Sequence, residues 1–340
     1  MTGSPDQSDP GLHVTPLPLP QPLEVKRPWT LGRIAVQVAG LLIGIALFAW
    51  AISMAVSDEN KDALAKLRSA QGWQVAALVG LSVASIVLNG LMFHIVLTPL
   101  KRLSQLDVVL TNAIAVFLAI LPFKLGLLVR VGIHHKRDGV SLRDMVSWFA
   151  AISALALAVL VPLAAAGLWR GGLDIWWWIV SIGGVVSIST LAVVCGRLSE
   201  KWPLLAKLSL GSWRIVKHPA PVIGHAAFRV MDVTVLAVRF IVAAAIAGQS
   251  LDIDDAVLMA TVYFFLSAVI PTGNLGFREA GVVLLAQRTG MDKSTMALVA
   301  LVVTSGETIS ALVMGAIGWV RLRPERVLGR SSKFKVQSSN

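Results

Sequence analysis

Apolar residues run along this chain in blocks of about twenty, separated by short polar segments, and two of the blocks are broken by proline and glycine. A helix needs about 20 predominantly apolar residues to cross a bilayer. Six blocks meet that need, at about 34–56, 73–97, 146–168, 175–194, 230–247 and 296–320, the last despite Glu307. The two broken blocks lie at about 108–130 and 256–285. The first contains Leu118-Ala-Ile-Leu-Pro122-Phe-Lys-Leu-Gly126-Leu-Leu-Val-Arg130, and the second Ser267-Ala-Val-Ile-Pro271-Thr-Gly-Asn-Leu-Gly276-Phe-Arg278-Glu279. Each break is followed by a basic residue, a glycine and a serine: Arg137, Gly139 and Ser141, then Arg288, Gly290 and Ser294. Proline interrupts a helical hydrogen-bond ladder, and glycine permits a tight turn. The pattern predicts an all-α, polytopic membrane bundle. Interrupted segments in corresponding positions of two halves also point to a transport site at Pro122, Gly126, Pro271, Gly273 and Gly276.

Composition agrees with this reading. The chain is 56% hydrophobic and 14% charged, with a mean hydropathy of +0.74, whereas soluble domains are about 25% charged. The formal net charge of +11 changes meaning in this setting. Lys and Arg flank spans and face anionic headgroups, so no nucleic acid is expected. A lone cysteine, Cys195, excludes an internal disulfide framework. Residues 1–28 carry Pro16, Pro18, Pro20 and Pro22 and read as a disordered tail, with no cleavable signal peptide. Residues 29–322 form the membrane domain, and 323–340 a basic cytoplasmic tail.

Loop charge orients the spans, because basic residues concentrate on the cytoplasmic side. Lys26, Arg27 and Arg33 place the N-terminus inside. The balanced charges of 57–72 read as outside and as a helical extension of the first span, and Lys101 and Arg102 read as inside. His134, His135, Lys136, Arg137 and Arg143 also read as inside, so both ends of the first broken block fall on one face. Trp169 and Trp176 to Trp178 mark the outer interface. The basic segment 197–225 returns to the cytoplasm, part of it as an amphipathic surface helix, and Asp252, Asp254 and Asp255 lie outside. The arrangement is two inverted halves, each holding a Pro/Gly-broken re-entrant hairpin, with both termini cytoplasmic in a cell (inner) membrane. Two ordinary kinked spans are the alternative. Irregular backbone at membrane depth requires burial in protein or a water-filled cavity.

Ionisable residues inside spans cost about 2.5–3.5 kcal/mol at a helix centre by insertion scales. Lys124 and Arg130 flank the first break, Arg278 and Glu279 follow the second, and Glu307 lies mid-span. These five are the candidate substrate-binding residues. Arginine offers a planar fork for phosphate, and the two glutamates balance charge or carry protons. Asp232 and Arg239, about two turns apart on one helical face, either join that cavity or glue the bundle. Asn89 and His94 are polar within the second span, and His134 and His135 lack a carboxylate or Cys partner at ligand spacing. No metal site, cofactor or catalytic signature is expected, and the chain is read as a non-enzyme.

Both motifs resemble those of the lysylphosphatidylglycerol synthase transmembrane family, also called flippase-like. The matching residues are Pro122, Gly126, Arg130, Arg137, Asp138 and Gly139, and then, more closely, Pro271, Gly273, Gly276, Arg278, Glu279 and Gly290. The resemblance implies movement of aminoacylated phospholipids or other lipid-linked headgroups between leaflets. Some members carry a soluble synthase domain, which is not expected here. Leu127 and Leu128 stand after Gly126 where the family often has a polar residue, and no glutamate adjoins Arg130. The expected partners are membrane phospholipids or lipid-linked glycans, with a separate soluble synthase as a further candidate. Two other readings remain: a non-transporting scaffold docking a synthase on 197–225, and an intramembrane enzyme using Glu279 and Glu307.

Overall fold

The computed structural model describes residues 31–119, 125–270 and 276–325. The Pro-rich tail, Pro122, Lys124, Pro271, Gly273 and the basic tail beyond 325 lie outside the described residues. Where the described residues form regular structure, it is helical. Helix α1 is Leu31–Ala55, α2 is Lys61–Arg68, and α3 is Gly72–Leu97. The first broken block supplies α4, Gln105–Leu118, and α5, Leu125–Lys136. Two long helices follow, α6, Leu142–Arg170, and α7, Ile175–Leu198. Short helices α8, Pro203–Leu208, and α9, Trp213–Val216, lead into α10, Pro219–Ile246. The second broken block supplies α11, Ile253–Val269, and α12, Phe277–Leu284. The single turn α13, Ala286–Thr289, precedes α14, Lys293–Leu322.

Helices α3, α6, α7 and α14 are long and apolar enough to cross a membrane. A fifth crossing results if residues 42–55 of α1 and 58–68 count as one span, bent by 55°. The segment after α1 therefore turns away rather than extending it straight. Asn60 holds the turn by donating its side-chain amide to the carbonyls of Met54 (3.2 Å) and Ala55 (3.1 Å). Helix α10 has the length of a span but carries Arg229, Asp232 and Arg239. It begins at Pro219, a favoured first helical residue, well before the apolar block at 230. Its first turns bury Val222 and His225, so protein neighbours, not hydropathy, define that part of the helix.

The first broken block folds back on itself. At 1.5 Å per residue, α4 and α5 end to end would separate their outer ends by about 40 Å. Instead Asp107, in the first turn of α4, pairs with Arg137, just past α5. Gly126 makes the return possible, because a side chain there would run into the carbonyl oxygen of Ala115 on α4. In the second block, a side chain at Gly281 of α12 would collide with Leu266 of α11. Gly276 starts α12 at φ +82°, where a Cβ would strike the backbone of Gly44 and Phe48 in α1.

Helix α6 relates the two hairpins. Its N-terminal end adjoins the base of the first: Lys101 donates to the carbonyl of Gly139 (3.0 Å), and the ring of His135 bonds the carbonyl of Val140 (2.9 Å). Its C-terminal end adjoins the base of the second. Arg288 donates to the carbonyl of Leu168 (2.9 Å), and the Asp254 carboxylate lies beside Gly172. Twenty-nine residues place these bases about 40 Å apart.

Small residues let the helix backbones approach closely. A Cβ at Gly90 of α3 would lie 2.8 Å from Val109 Cα, and one at Gly318 of α14 would lie 2.8 Å from the Leu110 carbonyl oxygen. The largest core packs Leu236 and Phe240, Met259 and Tyr263, and Val299 and Val303. Outside it, Ile182, Val186 and Leu191 of α7 and Leu312, Val313 and Val320 of α14 are exposed. So large an apolar surface suits lipid, not water. The protein is a multi-pass membrane protein.

Candidate functional site

A cavity of about 390 Å³ opens among α3, α4, α5, α6, α10, α11, α12 and α14. Four arginines line it: Arg130 from α5, Arg229 and Arg239 from α10, and Arg278 from α12. Helix α10 contributes a polar stripe because 229, 232 and 239 recur at three and seven residues, close to one and two helical turns. The two broken hairpins contribute the others, so Arg130 and Arg278, far apart in sequence, face one volume.

Three carboxylates offset the arginines. Asp232 accepts from Arg229 Nη1 (3.1 Å) and from the Ser85 hydroxyl (2.5 Å). Glu307 accepts from Arg278 Nη1 (3.2 Å) and the Tyr263 hydroxyl (3.1 Å), with Arg239 Nη2 at 3.5 Å. Glu279 is fully buried; it accepts from the Thr304 hydroxyl (2.7 Å) and the Gly276 amide (2.8 Å), with Arg278 at 4.0 Å. Arg239 also donates to the carbonyl of Val303 (3.0 Å), and Arg278 stacks over the Tyr263 ring.

Arg130 has a different environment. Its Nη2 donates to the Asn112 side-chain oxygen (2.5 Å), while Asn112 donates to the Ile86 carbonyl (2.9 Å). The guanidinium carbon sits 3.6 Å above the centre of the Phe93 ring. Among the described residues no carboxylate lies within 4 Å of Arg130. The Nε atoms of Arg130, Arg229, Arg239 and Arg278 are all buried without a hydrogen-bond partner. These Nε atoms have essentially no accessible surface, so they lie behind the cavity wall, and the cavity meets these arginines through other parts of their side chains.

Of the residues singled out in the sequence, Arg130, Arg278 and Glu307 line the cavity, as do Asn89 and Arg239. Glu279 stands behind the wall, tying the start of α12 to α14. Gly126 and Gly276 are contact points between backbones; Lys124, Pro122, Pro271 and Gly273 are outside the described residues. His134 corrects the sequence reading, since it does have a carboxylate partner, Asp138, one turn on (2.7 Å).

The lysylphosphatidylglycerol synthase TM region family matches residues 37–315. The chain belongs to that family. No curated protein and no solved structure matches it. The match spans both hairpins and every arginine of the cavity, so this member of the lysylphosphatidylglycerol synthase TM region family carries the whole polar cluster within its family-defining part.

Sequence reasoning missed Arg229, which lies just outside the apolar block beginning at 230, and Asn112, Tyr263 and Thr304, which read as unremarkable polar positions in spans. The i, i+3 spacing of Arg229 and Asp232 was the available signal, since such pairs meet on a helix surface.

Proposed function

We propose that the protein is a lipid translocase, in which a phospholipid or lipid-linked headgroup enters the arginine-lined cavity while its acyl chains stay in the bilayer. The observation that carries this reading is the convergence of Arg130 and Arg278, one from each hairpin, on a single cavity of about 390 Å³. Arginine forks bind phosphate oxygens in bidentate fashion, and buried charge inside a membrane marks a substrate path.

The position of the hairpin bases along α6 supports a transport geometry. Hairpin bases at its two ends are what one expects if one hairpin enters from each face, as in inverted repeats that meet near the midplane. The end bearing Lys101, Arg137, Arg143, Arg214 and Lys217 is assigned to the cytoplasm by charge, and the end bearing Asp174, Asp254 and Asp292 to the opposite side. Both termini are then cytoplasmic.

A headgroup-accessibility assay in proteoliposomes tests the proposal. Wild-type protein should move a labelled phospholipid between leaflets, and R278A/E279A should lose that activity. Equal movement by both rejects the site.

A further inference from the structure

Among the described residues, the four guanidinium groups of Arg130, Arg229, Arg239 and Arg278 are set against three carboxylates, those of Asp232, Glu279 and Glu307, leaving one positive charge in excess. Both oxygens of every one of these carboxylates already accept a hydrogen bond from the protein. The excess resides on Arg130, whose side-chain partners are the neutral amide of Asn112 and the ring of Phe93. The two internal segments outside the described residues, 120–124 and 271–275, contain no Asp or Glu, and their one ionisable residue is Lys124.

We propose that the cavity selects a headgroup with one net negative charge, a phosphodiester ending in an uncharged polar group, and rejects the cationic aminoacylated headgroup that gives the family its name. This rests on the reading that a lipid headgroup enters the cavity. A phosphodiester in the cavity brings the negative charge that neutralises Arg130, whose own partners are uncharged. An aminoacyl headgroup brings ammonium charge that no free carboxylate offsets, since each carboxylate is held by arginine, tyrosine, serine, threonine or backbone N–H. Seating it would require an ammonium among four guanidinium groups, and like charges at close range suppress wrong partners. Arg130 sets the selectivity. Glu279, behind the wall, fixes the start of α12 and so positions Arg278.

The test is competitive lipid binding to the purified full chain, read by native mass spectrometry with equal amounts of phosphatidylglycerol and lysylphosphatidylglycerol. The wild type should favour phosphatidylglycerol by about tenfold or more, the ratio that corresponds to about 1.4 kcal/mol. N112D places a carboxylate against Arg130 without removing the arginine and should bring the ratio near one. R130Q, which keeps an amide donor in the same place, should do the same. Equal or stronger binding of lysylphosphatidylglycerol by the wild type overturns the proposal, as does a preference that both variants retain. Inorganic phosphate is included as a soluble competitor; displacement of the lipid at matching concentration would mean the cavity takes a free anion, and would overturn the lipid assignment. Translocation of the same lipids is scored separately. Phosphatidylglycerol preference without movement removes the translocase reading and keeps this one, whereas equally fast movement and binding of both lipids does the reverse.

Discussion

Glu307 holds two arginines at once, and E307Q isolates that interaction. The carboxylate receives Arg278 at 3.2 Å, Arg239 at 3.5 Å and the Tyr263 hydroxyl at 3.1 Å. Glutamine keeps the size and an acceptor oxygen but removes the charge. Breaking a buried ion pair from one side costs about 3–5 kcal/mol, because the partner charge stays buried and uncompensated. The retained acceptor keeps part of the hydrogen bonding, so the loss should fall near the lower figure, at about 3 kcal/mol. Equilibrium unfolding in mixed micelles, followed by tryptophan fluorescence, measures it. Adding R239Q removes one of the stranded charges and should restore a substantial part of the loss, giving a non-additive cycle of about 1–2 kcal/mol. A single-mutant loss below about 0.5 kcal/mol, typical of an exposed surface change, would refute the view that Glu307 neutralises the arginines. So would strictly additive mutants.

Other outcomes follow from the same contacts. G276A should destabilise by about 1–3 kcal/mol, because its positive φ is combined with backbone of α1 in the path of a Cβ. G290A, at φ +71° with open space around it, should lose less in the same thermal unfolding assay. In a C195S background, R137C and R288C should react with an impermeant thiol reagent from opposite sides of the membrane; labelling from one side would remove the inverted arrangement. Asp292 caps α14: burial pushes its carboxyl up, but hydrogen bonds from Ser294 and Thr295 outweigh this and hold it below its ordinary 3.8. A depressed folded pKa means stabilisation that is fully present above the ordinary value and is lost as pH falls through the folded one. D292A should therefore lose about 1 kcal/mol at neutral pH, and less relative to wild type in unfolding measured below pH 3.8.

Much of the bundle could be read from the chain because apolar length and helix length are coupled through the bilayer thickness. Of the residues at the breaks, Gly126 and Gly276 fall where backbones touch and no side chain fits. Lateral neighbours were not legible. Nothing in the linear pattern around Asn112 says that it faces Arg130, or that Phe93 lies beneath it, since these contacts join α3, α4 and α5. Arg229 was lost at a block boundary drawn by hydropathy, yet it is buried by protein and paired with Asp232. The helical extension expected after the first span became a bend, at which Asn60 donates to the carbonyls of Met54 and Ala55 at the end of α1. Glu279 was read as a cavity residue from its place beside Arg278; consecutive helical residues point about 100° apart, and here Arg278 lines the cavity while Glu279 is turned to Thr304 and the Gly276 amide.

The same two contacts explain why the start of α12 is placed precisely. The first amides of a helix have no partner within it. Glu279 accepts one of them, from Gly276, and its other oxygen fixes the start of α12 to Thr304 on α14. Thr304 is one turn before Glu307, the residue that holds Arg278. The start of α12 and the arginine that follows it are thus tied to the same two turns of α14, and α14 also carries the carbonyl that receives Arg239. Arg278 and Arg239 are consequently fixed relative to each other by one rigid helix, whereas Arg130 is held from the far side by Asn112 on α4.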